Sequence, residues 1–122
     1  LTEIRIPVWQ NGATGTGFHE TASRQGDFAI VAAAAQIEIS ETGTIARAAI
    51  SAGGVAPSPV KLRAVEEALV GASADGIAAA LGYIDEAIDP DTDVHATADY
   101  RRRVVRELVS RAIGDAVAEA SR

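Results

Sequence analysis

The hydropathy of this chain changes period near residue 55. Before it, apolar and polar residues tend to alternate; after it, apolar residues recur every three or four positions. The first period is that of strands and the second that of helices. Strands first and helices after point to an α+β domain.

Within the first half, Leu1-Thr2-Glu3-Ile4-Arg5-Ile6-Pro7 reads as a short strand. Pro7 stops it or leaves it at a sheet edge. Asn11 to Gly17 reads as a flexible loop. It is no dinucleotide fingerprint, because the glycine spacing is wrong and no helix pattern follows. Phe18 to Ala22 is the second strand, Arg24-Gln25-Gly26-Asp27 a turn, and Phe28 to Ile39 a long apolar strand. The Ala32–Ala35 run favours helix on propensity alone, but β-branched residues flank it on both sides. Glu41-Thr42-Gly43 is a hairpin turn, and Thr44 to Ala52 the returning strand. The predicted product is a three-stranded antiparallel β-meander.

Helical punctuation then takes over. Ser58 is suited to an N-cap and Pro59 to a first helical position. Leu62, Val65 and Leu69 share one face, and Gly71 stops the helix. A second helix is expected from near Ser73 to Pro90, with Ile77, Leu81, Ile84 and Ile88 as its stripe. A third starts near Thr97, with Val105, Leu108, Val109, Ala112, Ile113 and Ala116 facing inward. The expected architecture is the meander followed by a three-helix bundle packed on it.

Composition narrows the function classes. The 122 residues include no cysteine, which excludes disulfide scaffolds, thiolate metal sites and cysteine nucleophiles. A formal charge of −6 argues against a nucleic-acid partner held through phosphates. No apolar run is long enough for a membrane span, and no signal segment opens the chain; the expected compartment is the cytoplasm. The chain has no methionine and begins at Leu1, so it reads as a piece of a longer product. About a fifth of it is alanine, and small side chains let elements approach closely while burying little area each.

Candidate chemistry is sparse. Asp89-Pro90-Asp91-Thr92-Asp93 resembles the start of a calcium loop, but Val94 stands where glycine is needed and Tyr100 where a glutamate is needed. His19 and His95 have no metal-ligand spacing. Arg101, Arg102 and Arg103 crowd a helix start, where cations oppose the macrodipole. A compensating ion pair is expected from Asp89, Asp91, Asp93 or Asp99. Gly53-Gly54-Val55-Ala56-Pro57-Ser58-Pro59 ends a strand with two glycines that allow close approach by a backbone or a flat ligand.

Three ordered blocks carry a resemblance. Gly17-Phe18-His19-Glu20-Thr21-Ala22-Ser23-Arg24-Gln25-Gly26-Asp27-Phe28-Ala29-Ile30-Val31 is the first. The second is Gly53 to Pro59, with Glu66 and Leu69-Val70-Gly71 after it. The third is Asp93-Val94-His95-Ala96-Thr97-Ala98-Asp99-Tyr100-Arg101-Arg102, with Arg111-Ala112 beyond. Together they resemble the C-terminal domain of the FAD-binding medium subunit of molybdenum hydroxylases, the carbon monoxide dehydrogenase and xanthine dehydrogenase type. The resemblance implies a three-stranded antiparallel sheet with a three-helix bundle. It implies residues 1–10 as the tail of a preceding FAD-binding domain and 11–122 as the C-terminal domain. It implies FAD in the full subunit, with molybdopterin in a large partner subunit and [2Fe–2S] clusters in a small one. Electrons then pass from those clusters to FAD.

By the same resemblance Phe18, Ile50, Gly53 and Gly54 are the flavin-contacting positions. The pyrophosphate-binding segments of the family precede this region, and a basic residue that relatives use falls near Ala68. The 122 residues alone are therefore expected to hold FAD weakly or not at all. The competing expectation is a cofactor-free domain for subunit assembly.

Overall fold

The computed structural model describes residues 1–9, 13–73 and 76–122. It is an α+β domain built on one antiparallel sheet in the order β1-β2-β3-β4. The strands are β1 (Ala13–Thr21), β2 (Val31–Ile39), β3 (Ile45–Gly53) and β4 (Val60–Lys61). The expected hairpin joins β2 to β3. The sheet thus has four strands rather than three. β4 pairs with Ser51 and Ala52 where a helix start was expected. Ser58 caps nothing: it is exposed in a bend, and α1 (Arg63–Leu69) begins after Leu62.

Two further expectations change at the beginning of the chain. Residues 1–9 form no strand; Trp9 instead stacks on the Arg47 guanidinium, 4.1 Å from ring centroid to Cζ. The glycine-rich stretch read as a loop lies largely inside β1, although Asn11 and Gly12 are outside the described residues. So are the expected domain boundary between residues 10 and 11 and positions 74–75 near the start of the second helix.

The glycines of β1 are there for packing. A Cβ on Gly17 would lie 2.1 Å from the carbonyl oxygen of Ala112, and one on Gly15 2.0 Å from that of Ala116. Both carbonyls belong to α4 (Ala98–Ala120), which crosses β1 and β2. Helix backbone therefore rests directly on strand backbone, a close approach only glycine permits.

Pairing registers divide the sheet into two faces. Val31, Ala33, Ala35 and Ile37 of β2 and Ala48, Ile50 and Ala52 of β3 point inward, towards α4 and α1. Ile45 joins them because a bulge leaves Ala46 unpaired: Ile39 faces Ile45 while Glu38 faces Arg47. Strict alternation would have put Ile45 and Ile50 on opposite faces.

On the helical side, Leu62, Val65 and Leu69 are fully buried. The second helical region is broken into α2 (Ile77–Ala80), a 3₁₀ turn (Leu81–Tyr83) and α3 (Ile84–Ala87). Gly82 in its middle lowers helix propensity. Of its stripe, Ile84 and Ile88 are buried and Ile77 and Leu81 partly so. α4 matches its sequence pattern: the Thr97 hydroxyl accepts a hydrogen bond from Tyr100 N at 3.2 Å, and all six stripe residues are buried.

Candidate functional site

Among the described residues, no helix covers the outer face of the sheet. One row across it is Phe18, Ala34, Ser51 and Lys61; the next is Glu20, Ala32 and Gly53. Small residues make the middle flat. Phe18 stands at one side, 61% exposed. Pro59, Val60 and Lys61 rise at the other, and the hollow between them has a volume of about 700 Å³.

Of the four positions implied by the resemblance, Phe18 and Ile50 line the hollow, and Gly53 and Gly54 lie beyond it. Phe18 and Gly53 share the outer face, and a Cβ on Gly53 would meet only open space. Gly54 lies just past the end of β3. Ile50 differs in its burial. Its side chain is on the inner face, 1% exposed, among the core residues. Its side chain and that of Phe18 are on opposite sides of the sheet, because Ile50 pairs with inward-facing Ala35 and Phe18 with outward-facing Ala34.

Gly54 has a reason internal to the fold. Its φ is +76°, and a Cβ there would lie 2.1 Å from the carbonyl oxygen of Ile30. That contact opens onto a second cluster, which the sequence did not reveal as one site. Arg101, 7% exposed, reaches from the first turn of α4 into the end of the sheet. Its Nη1 donates to the Ile30 carbonyl at 2.6 Å and to the Gly54 carbonyl at 2.9 Å. Nη2 donates to Asp93 Oδ2 at 2.8 Å, and Nε is buried without a partner among the described residues.

Asp93 Oδ1 accepts from the backbone N–H groups of His95 and Ala96, at 2.8 and 3.0 Å. Those two bonds, and then Arg101, hold its carboxyl down at about 2. The compensating aspartate expected for the arginine cluster is thus Asp93. Arg106 pairs instead with Asp85, and Arg111 with Glu107 at 2.7 Å. The one sequence signal for this cluster was a row of cations at the wrong end of a helix.

Two glutamates close the sheet margins: Glu119, which no sequence pattern marks, and Glu66 of the second block. Glu119 Oε2 accepts from Thr16 N at 2.6 Å and from Thr16 Oγ1 at 3.0 Å, and both bonds lower its pKa. Glu66 Oε1 accepts from Ile50 N at 2.8 Å. His19 Nε2 lies 2.8 Å from Asp115 Oδ2; His95 lines a separate crevice with Ala22, Ser23 and Ile30. Among the described residues no group of three potential ligands is placed to hold a metal ion. Nor, among them, is any helix long and apolar enough to cross a membrane.

The three sequence blocks therefore meet in space: Ile30 from the first, Gly54 from the second, Asp93 and Arg101 from the third. Over residues 16–116 the chain matches the family model of the CO dehydrogenase flavoprotein C-terminal domain. The chain belongs to this family.

Relatives agree. The alpha subunit of the 6-hydroxypseudooxynicotine dehydrogenase complex of Paenarthrobacter nicotinovorans is 32% identical over 96% of this chain and 40% of its own length. The beta subunit of caffeine dehydrogenase of Pseudomonas sp. (strain CBB1) is 35% identical over 95% of this chain and 39% of its own. Among solved structures, carbon monoxide dehydrogenase from Hydrogenophaga pseudoflava, in a form lacking the Mo-pyranopterin moiety of its cofactor, is similar with a TM-score of 0.84. Its identity is 27%, over 93% of this chain and 40% of the matched chain. The chain thus spans about two fifths of the length of these relatives.

Proposed function

We propose that this domain, within an FAD-carrying flavoprotein subunit of a molybdenum hydroxylase, closes one side of the flavin with its outer sheet face and docks neighbouring parts of the complex. The observation that carries this reading is the outer face itself: flat, built of small residues, with Phe18 exposed beside it. Solvent-exposed apolar surface of this kind marks an interaction site. The residues fit a ring contact through Phe18 and Gly53, with Ile50 supporting the sheet from behind.

They do not fit a dinucleotide's phosphates. The only helix of eight or more residues among those described is α4. Its first turn is already occupied by the Thr97 hydroxyl and hemmed in by Asp93. The phosphates would have to be held by preceding domains, of which residues 1–10 are the proposed tail. Exposed Ile4, Ile6 and Val8 support packing of that stretch on something else.

FAD would supply the redox chemistry, receiving electrons from the [2Fe–2S] clusters of a small subunit. A large subunit would hold molybdopterin. Relatives named for caffeine, 6-hydroxypseudooxynicotine and carbon monoxide share this domain, so we place the choice of substrate outside it. This chain's part is to bind, orient and shield.

The test has two arms. Titrating FAD against the 122-residue chain is expected to give no stoichiometric binding at micromolar concentration. In the flavoprotein subunit, Phe18→Ser is expected to reduce flavin content or shift its absorption. Full flavin content with an unchanged spectrum in that variant would favour the cofactor-free assembly role.

A further inference from the structure

We propose that Arg101 is a positioning residue: its guanidinium clamps three connecting segments, so that the Gly53-Gly54 turn is presented as part of one preset surface. The segments are residues 22–30 between β1 and β2, residues 54–59 between β3 and β4, and residues 88–97 ahead of α4. Each contributes one group to the clamp: the Ile30 carbonyl, the Gly54 carbonyl and the Asp93 carboxylate, at 2.6, 2.9 and 2.8 Å.

A planar guanidinium has donors fixed in a fork and can hold several acceptors in one geometry, which a lysine ammonium on a flexible stem does not reproduce. The surroundings are built to receive it. Gly54 takes a positive φ that brings its own backbone against Ile30, closing the gap Arg101 spans. Asp93 is itself fixed by two backbone donors before it meets the arginine. Other bonds then tie the segments to the frame: Ile30 N donates to Thr21 O at 2.7 Å, and Asp89 N to Val55 O at 2.9 Å.

The consequence appears at the surface. Phe28 and Val94, 94% and 96% exposed, sit on two of the clamped segments. Phe28 lines a crevice of about 250 Å³ together with Asp93, His95 and Arg101. Large apolar side chains on unanchored loops would cost ordering entropy whenever a partner met them, and the clamp removes that cost in advance. The claim that this preset surface serves the flavin rests on the proposed function above. The clamp itself does not.

Hydrogen exchange separates the two. In the 122-residue chain, Arg101→Met is expected to speed exchange at Ile30 and Asp89 at least tenfold. Amides of β2 and of residues 105–117 in α4 should keep their wild-type protection. A residue that only stabilises the whole fold would instead speed all of them together, and that result would overturn the proposal. So would unchanged protection at Ile30 and Asp89. If Arg101→Met does not fold, Asp93→Asn loosens the same clamp from its acidic side and should give the same local pattern; wild-type exchange in a folded Asp93→Asn chain would also overturn it. In the flavoprotein subunit, Arg101→Met should further shift the flavin absorption or midpoint potential. If Phe18→Ser and Gly53→Leu leave both unchanged, the flavin reading fails while the exchange result still decides the clamp.

Discussion

At position 54 the absence of one carbon atom decides the path of the chain. Gly54→Ala places a Cβ on the Ile30 carbonyl in a backbone region disfavoured for L-residues, and strain of this kind costs roughly 1–3 kcal/mol. Gly53→Ala adds the same atom in open space, and a surface change of this sort stays within about 0.5 kcal/mol. Urea unfolding of the two variants should separate them clearly. The sequence marks the pair as allowing close approach by a backbone or a flat ligand, and only the contact with Ile30 shows that Gly54 is the one a backbone approaches.

Asp93 makes a second prediction at this scale. Its folded pKa of about 2 lies below the ordinary 3.8, so the native state favours its ionised form. The stability it confers is fully present above about pH 4 and is lost as pH falls through about 2. Acid titration of stability in Asp93→Asn should be correspondingly flatter over that window. Glu119, also lowered, retains its own contribution in the variant. A variant curve parallel to the wild type would show that Asp93 carries no such linkage.

Elements differ in how openly they announce themselves. α4 was readable because its 23 residues repeat one stripe over several turns and a threonine caps it. The region from 77 to 87 has the same stripe but folds as short pieces, since periodicity records which face is apolar and not whether the backbone stays continuous. The first half of β1 was hidden by its own glycines, which composition associates with loops and which here serve contact with α4. β4 is two residues long, and no periodicity shows in two residues.

The helix caps give a direct check. Thr97→Ala should cost about 0.5–2 kcal/mol, whereas Ser58→Ala, at an exposed bend, should stay within about 0.5 kcal/mol. Gly17→Ala should exceed both, because α4 must move off the sheet or the strand must bend. Overpacking of this kind typically costs about 1–3 kcal/mol. Denaturant midpoints in the order Gly17→Ala, Thr97→Ala, Ser58→Ala, from least to most stable, are the expected result.

Across the whole molecule, the α+β class and the division into sheet and helices were legible, and of the four positions the resemblance implies, Phe18 and Gly53 share the outer face. Ile50 was named by the resemblance alone; its inward face follows from its pairing with Ala35, which no pattern in Thr44–Ala52 marks. Phe18→Ser in the isolated chain should leave unfolding free energy within about 0.5 kcal/mol of wild type. Any larger effect in an assembled complex would then report on contacts beyond this chain. The glutamates at the margins bear on how such an assembly can be built. A sheet ordinarily grows sideways, each outer strand offering its unused amides to the next. Here Glu119 covers Thr16 on one flank. Glu66 and the backbone of Leu62, Gly71 and Ala72 engage Ile50 and Ile45 on the other. Lateral growth would have to displace these contacts first. At Thr16, Ile45 and Ile50 the margin is thus closed by the chain's own groups, as a board is edged.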